Sequence, residues 1–242
     1  MKDIVFELIS SEKIAKNTYE WVLSGDTEGI RPGQFVNIKL DGFYLRRPIS
    51  VCDVNGDELT IIYKVVGRGT EQMAEMKPGE HLLVLTGLGN GYDLTKSGDT
   101  PLLIGGGAGV PPMYMLCREL VGEGKKPTVI LGFNSADEVF YKEKFESLGA
   151  RVIVATADGS MGVKGFVTDA MADLDYSYFY TCGPEPMLKA VYKTSLTSGQ
   201  FSFEERMGCG FGACMGCSCK VITGYKRICK DGPVLEKEEI LW

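Results

Sequence analysis

Residues 100–112 read TPLLIGGGAGVPP, a short apolar run followed by four glycines in five positions and two prolines. The apolar run at 101–104 predicts a strand, the glycines at 105–109 a loop, and Pro111 with Pro112 the start of a helix over 110–121. A strand that turns through glycines into a helix opens a parallel sheet, with its loop at the carboxyl edge. Residues 100–117 carry no charge, a length that would suit a membrane span. Pro101, Pro111, Pro112 and the four glycines are too many breakers for a lipid-exposed helix.

Downstream, the same alternation continues. Strands are predicted at 128–132, 151–156 and 178–181, with helices at 141–148, 167–174 and 184–198, the βαβα pattern of a parallel sheet covered by helices. A last strand, 201–204, runs into a cysteine cluster. Upstream the rhythm differs. DIVFELIS, YEWVLSG, QFVNIKL, RRPISVC, ELTIIYKVV and HLLVLTG are short β-branched or aromatic runs, punctuated by Pro32-Gly33, Asn55-Gly56 and Pro78-Gly79. They predict a small antiparallel barrel, interrupted by a helix at 70–76. The expected organisation is therefore a multi-domain α+β chain: a β-barrel at 1–92, an α/β nucleotide domain at 93–205 and a small cysteine domain at 206–242.

The 242 residues leave room for one large domain or two ordinary ones. Glycine numbers 31, about 13% against a usual share of about 7%. The net charge of −6 lacks the basic footprint of a nucleic-acid binder. MKDIVFELIS contains Asp3 and Glu7 and has no export-signal pattern, so a reducing cytoplasm is expected, with thiols free to act as ligands and no membrane association.

Four of the eight cysteines fall at 209–219, within MGCGFGACMGCSCK. The spacing Cys209-x4-Cys214-x2-Cys217-x11-Cys229 begins with the C-x4-C-x2-C run of plant-type 2Fe–2S centres. Four thiolates converging on two irons need a tightly curled backbone, which Gly208, Gly210, Gly212 and Gly216 permit. Amide N–H groups brought near the sulfurs would stabilise the reduced cluster. Cys219 is left out, since it would face away from Cys217 in an extended segment. The alternative is a structural zinc knot, although zinc sites usually pair C-x2-C units.

Arg46-Arg47-Pro48-Ile49-Ser50 lies on a barrel strand, where a guanidinium can grip a pyrophosphate and a hydroxyl can reach a ring nitrogen. Adjacent strand arginines can equally form a solvated face. Ile62-Tyr63-Lys64 leads into Gly67-Arg68-Gly69-Thr70, a glycine turn opening a short helix whose amides and dipole suit a phosphate. The loop with Gly105, Gly107 and Gly109 is not a strict G-x-G-x-x-G fingerprint, but it sits where a dinucleotide binds. Cys182-Gly183-Pro184-Glu185-Pro186-Met187 occupies an equivalent place. Either loop can also be a tight turn with close helix packing.

The order barrel, R-P-x-S, G-T, GGGAGVPP, CGPEPM resembles the ferredoxin–NADP reductase superfamily over about residues 1–205. That resemblance implies FAD on the barrel and a nicotinamide nucleotide on the α/β domain. The superfamily usually has R-x-Y-S, and Ile49 replaces the tyrosine here, whereas Arg47 and Ser50 match. Over essentially the whole chain, LRRPIS, IIYKV, GRGT, CGPEPML, EERMGCGFGACMGC and KDGPVLEKEEILW resemble the electron-transfer subunits of class 1B dihydroorotate dehydrogenases. The resemblance implies FAD held by Arg47, Pro48, Ile49, Ser50, Ile62, Tyr63, Lys64, Gly69 and Thr70. It implies NAD at Gly105, Gly107, Gly109, Cys182 and Gly183, and a 2Fe–2S cluster on Cys209, Cys214, Cys217 and Cys229. It further implies an FMN-containing catalytic partner that oxidises dihydroorotate in pyrimidine biosynthesis, two copies of each chain per assembly.

Electrons would then pass from the partner's FMN through the cluster and FAD to NAD+. No general acid or base for dihydroorotate stands out, and His81, the only histidine, begins an apolar strand and reads as structural. Cys52 and Cys117 read as buried small hydrophobes. By resemblance, Cys182 packs beside the nicotinamide without covalent chemistry. Glu204, Glu205 and Arg206 are either a charged strand edge or flavin-side residues, and 236–239 reads as a solvated face. Two other functions are compatible: the flavin subunit of another redox complex, of sulfide dehydrogenase or NADH-dependent ferredoxin–NADP reductase type, and a zinc-stabilised non-catalytic interaction module.

Overall fold

The computed structural model describes residues 1–242. The first six strands are β1 (Lys2–Ala15), β2 (Thr18–Ser24), β3 (Phe35–Ile38), β4 (Arg47–Asn55), β5 (Glu58–Lys64) and β6 (His81–Leu88), with helix α1 (Arg68–Glu75) before the last. They close a barrel in the order β1-β2-β5-β4-β3-β6. Alternation drives the closure: Phe6, Leu8, Trp21, Leu23, Ile38, Leu59 and Ile61 point inward and are fully buried. Strand β1 is longer than the expected 3–10. Register shifts at Leu8/Ser10 and Lys13/Ala15 bend it, so its first half pairs with β6 and its second with β2. Helix α1 starts two residues before the expected 70, because the Thr70 hydroxyl accepts from the amides of Val66 at 2.9 Å and Gly67 at 3.2 Å.

The second half alternates β7 (Leu102–Gly106), α2 (Pro112–Gly122), β8 (Thr128–Phe133), α3 (Lys142–Ser147), β9 (Arg151–Thr156), β10 (Val163–Lys164), α4 (Val167–Met171), β11 (Phe179–Cys182), α5 (Glu185–Thr194) and β12 (Gly199–Ser202). Helix α2 begins at Pro112 because a 3-10 turn, Gly107–Gly109, intervenes. Helices α4 and α5 stop short of the expected 174 and 198. The last strand of this run lies at 199–202 and not at 201–204. The two-residue strand β10 carries too little pattern to be read from sequence.

The tail adds β13 (Ser218–Val221), β14 (Gly224–Arg227), α6 (Ile228–Asp231) and β15 (Val234–Glu236). It is not a free appendage. β15 pairs antiparallel with β12, completing a sheet of order β10-β9-β8-β7-β11-β12-β15. Residues 236–239 are therefore not a solvated face: Glu236 accepts from Tyr178 Oη at 2.8 Å, Lys96 Nζ at 2.8 Å and Gln200 Nε2 at 3.0 Å. One apolar cluster joins Phe35 and Leu88 of the barrel to Phe201 of the sheet and to Cys217, Ile228, Cys229 and Leu235 of the tail. A second joins Cys52 and Ile62 to Leu103, Met113 and Tyr180. Cys52 and Cys117 are buried as expected, whereas His81 is exposed and faces Glu7 across the barrel seam. No helix is long and apolar enough to cross a membrane.

Candidate functional site

A cleft of about 380 Å³ opens where barrel, sheet and tail meet. Strand β4 supplies Arg47, Pro48, Ile49 and Ser50 to one wall, β5 supplies Ile62, Tyr63 and Lys64, and α1 supplies Thr70. The opposite wall consists of Ala108, Cys182, Ser202, Phe203, Glu204, Glu205 and Met207. Gly69 does not line the cleft. It backs Arg47, since a Cβ at Gly69 would collide with the guanidinium. Arg47 is further fixed by donating from Nη1 to Leu45 O at 2.6 Å and by lying 4.4 Å over the Phe43 ring.

The Tyr63 hydroxyl is buried, borders this cleft and has no partner within the protein. An orphaned donor beside a strand arginine and a helix-opening threonine fits a large polar cofactor such as FAD. Burial pushes the Tyr63 phenol well above its ordinary range, so it stays a neutral donor.

The five glycine-loop and thiol candidates divide by role. At Gly109 a Cβ would collide with Cys182 O, and at Gly105 it would stand 2.7 Å from Val110 Cα. Both permit tight packing between β7, its loop and β11. Gly183 packs under Met187. Gly107, at φ +52°, has nothing within 4 Å of a would-be Cβ and faces open space. Pro111 and Pro112 have no N–H, so an anion over this loop is met only by amides upstream of them. Cys182 is buried, and burial followed by the Glu204 carboxylate holds its thiol far above the ordinary range, which suits packing and not nucleophilic attack. Glu204 itself is pushed up by burial. Glu204 and Glu205 thus border the cleft, a placement the sequence could not give because their covering residues come from distant segments.

The cysteine loop is tied to the barrel: Asn37 Nδ2 donates to Cys209 O at 3.4 Å, and Gly210, at φ +78°, lies against the Asn37 side chain. Arg227 donates to Gly212 O at 2.9 Å while pairing with Asp231 at 3.0 Å. Within the loop, Cys209 Sγ accepts from the amides of Ala213 at 3.2 Å and Cys214 at 3.4 Å. Cys214 Sγ accepts from Gly216 N, and Cys217 Sγ from Cys229 N, each at 3.4 Å. Burial pushes Cys209 up, but the amides of Cys214, Phe211 and Ala213 outweigh it and bring its thiol down to about 6. Burial and the neighbouring Cys217 push Cys229 up to about 12.

No three ligating side chains close into a cage for a single ion. Cys209 instead contacts Cys214, and Cys217 contacts Cys229. Two thiol pairs with amides aimed at sulfur fit two irons better than one tetrahedral zinc. Cys219 lies on β13 opposite Lys226 and borders a separate cavity with Leu188 and Trp242.

Comparison with known proteins matches residues 204–241 to the iron–sulfur cluster binding domain of dihydroorotate dehydrogenase B, and residues 103–193 to the oxidoreductase NAD-binding domain. The chain is 47% identical over 240 residues to a Fusobacterium nucleatum protein, covering 92% of each. It is 44% identical over 256 residues to one from Geobacillus sp., covering 100% of this chain and 99% of the relative. Both relatives are named dihydroorotate dehydrogenase B (NAD(+)), electron transfer subunit. Among solved structures, the NADH-dependent reduced ferredoxin–NADP oxidoreductase of flavin-based electron bifurcation aligns with a TM-score of 0.90 at 29% identity, covering 98% of this chain and 90% of that one. The ferredoxin reductase of carbazole 1,9a-dioxygenase, at 22% identity and a TM-score of 0.71 over 79% of this chain and 64% of that one, shares the fold.

Proposed function

The chain belongs to the electron transfer subunits of dihydroorotate dehydrogenase B (NAD(+)), and from that membership we propose that it carries electrons from a dihydroorotate-oxidising partner subunit to NAD+ in pyrimidine biosynthesis. When bound, FAD exchanges electrons singly with a 2Fe–2S cluster and in pairs, as hydride, with nicotinamide. The protein's own part is placement. Arg47, held by Phe43 and given room by Gly69, grips the flavin's pyrophosphate, and Pro48, Ile49, Ser50, Ile62 and Tyr63 shape the ring's bed. Cys182, kept neutral, packs at the nicotinamide end, while Gly105 and Gly109 let the two loops close and Gly107 faces the dinucleotide. Cys209 with Cys214 and Cys217 with Cys229 are the two ligand pairs.

One observation carries this reading. Met207 is part of the flavin cleft's wall, and the first cluster cysteine lies two residues further on, at most about 7 Å of chain away. The cleft and the cysteine loop are thus neighbours. On the loop's outer side Cys214 is exposed beside Phe211 and Met215, both exposed, an apolar rim suited to docking the partner. We take that partner to carry FMN and to assemble as two copies of each chain, in a cytoplasm reducing enough to keep the thiols unpaired.

The purified chain is expected to contain iron and FAD, to pass electrons from NADH to an artificial acceptor, and to leave dihydroorotate untouched until the partner is added. Dihydroorotate turnover by the chain alone, or a zinc-loaded protein without visible absorbance, would overturn the proposal. The second reading, a subunit of an NADH-dependent ferredoxin–NADP oxidoreductase, is favoured by the 0.90 TM-score. It requires a different companion, so the protein that co-purifies from the native host decides between them.

A further inference from the structure

Lys64 is the one basic residue that borders both the flavin cleft and the glycine loop. Its ammonium is engaged by Glu138 at 2.9 Å, from the turn that follows β8 on the opposite unit. Glu138 is held in place: its side chain is only 15% exposed, and its other oxygen accepts from Asn134 Nδ2 at 2.9 Å. Gly107 and Ala108 lie beside the pair, and the space left among them is about 20 Å³, room for no more than a water molecule. The pair is not needed to join the two units. Arg118–Asp53 at 2.7 Å, Lys144–Glu20 at 2.9 Å and Lys16–Asp137 at 3.0 Å already do so.

A dinucleotide lying over the 105–109 loop brings a doubly charged pyrophosphate to this spot. There it meets Lys64 as a nearby cation and Glu138 as the anion already holding that cation. We infer that Glu138 is a counter-ion set against the nicotinamide dinucleotide, occupying Lys64 in the free protein and yielding it when the pyrophosphate arrives. Binding then exchanges one ion pair for another and leaves a carboxylate near the phosphates, which weakens the complex and speeds release of the reduced product. The inference rests on the reading that the 105–109 loop takes the dinucleotide, and it reassigns Lys64 from the flavin to the nicotinamide side.

Calorimetric titration of the oxidised holoprotein with NAD+, together with FAD content per chain, tests it. Glu138→Gln keeps the shape and is expected to bind NAD+ about fivefold tighter at low salt, with the gap closing as ionic strength rises and FAD content unchanged. Lys64→Met is expected to weaken NAD+ binding by a similar factor, and in that background the gain from Glu138→Gln shrinks. Gly107→Ala reports on the loop itself, because its added methyl projects into space where only a ligand would meet it. If Gly107→Ala has no effect on NAD+ binding, the loop reading fails and the inference with it. If Gly107→Ala weakens binding while Glu138→Gln leaves it unchanged or weaker, the loop reading stands and Glu138 has no such role. Loss of FAD from Lys64→Met with unaltered NAD+ affinity returns Lys64 to the flavin and likewise overturns the inference.

Discussion

Gly69 and Gly107 are alike in sequence and opposite in use. At Gly69 a methyl group would strike the Arg47 guanidinium, while at Gly107 it would touch nothing. Gly69 also lies inside α1, where alanine is a better helix former by about 1 kcal/mol. Gly69→Ala therefore sets a local gain against a displaced arginine. The expected outcome is an intact or slightly steadier fold with FAD bound about tenfold more weakly, read as flavin lost on gel filtration and as a shifted flavin titration. Unchanged flavin affinity would mean that Arg47 does not grip the cofactor. The surplus of glycine was visible from composition, and its clustering at 67–69, 105–109 and 208–216 marked the right loops. Which glycine shields a side chain and which faces a ligand was not legible. The deciding neighbour, Arg47 for Gly69 or Cys182 for Gly109, lies 22 or 73 positions away in the chain.

Most elements were legible for a simple reason: alternation of period two in the barrel and strand–loop–helix rhythm after residue 100 are repeated enough to outweigh local noise. β15 was not, because three residues, Val-Leu-Glu, carry no period. What places it is Asn90, in the turn between barrel and sheet. Its Nδ2 donates to Val234 O at 2.8 Å and its Oδ1 accepts from Val234 N at 3.1 Å, while its own amide donates to Gly232 O at 2.7 Å. The Gly89-Asn90-Gly91 segment, which reads as plain punctuation, thus clamps the tail to the sheet edge. Asn90→Ala removes both side-chain bonds and leaves the Val234 backbone groups short of partners on that side. A loss of about 1–3 kcal/mol is expected, seen as a lowered Tm and as faster amide exchange in β15 than in β7 or β8. Equal protection of β15 in the variant would show that pairing with β12 alone holds the strand.

At the scale of the molecule, that clamp makes the cysteine loop part of a common core. Cys217 and Cys229 are buried against Phe35 and Leu88 of the barrel and Leu235 of the tail, whereas Cys209 is half-buried and Cys214 exposed. The four proposed ligands therefore differ in what their loss should do, although their spacing treats them as equals. Replacing any one by alanine is expected to abolish the cluster's visible bands. Replacing Cys217 or Cys229 also removes a packed sulfur from the core that supports the flavin cleft, at a cost of about 1 kcal/mol beyond the cluster itself. Cys217→Ala and Cys229→Ala should thus melt below Cys209→Ala and Cys214→Ala by a few degrees, at about 2–4 °C per kcal/mol, and retain less FAD. Melting curves and flavin content of the four variants, compared after the bands are lost in all of them, isolate the packing contribution from that of the iron. Four identical curves would mean that the metal alone organises the tail. A split between the buried and exposed pairs would mean that barrel, sheet and tail share one stability, so that damage at the electron entrance is transmitted to the cleft where electrons leave.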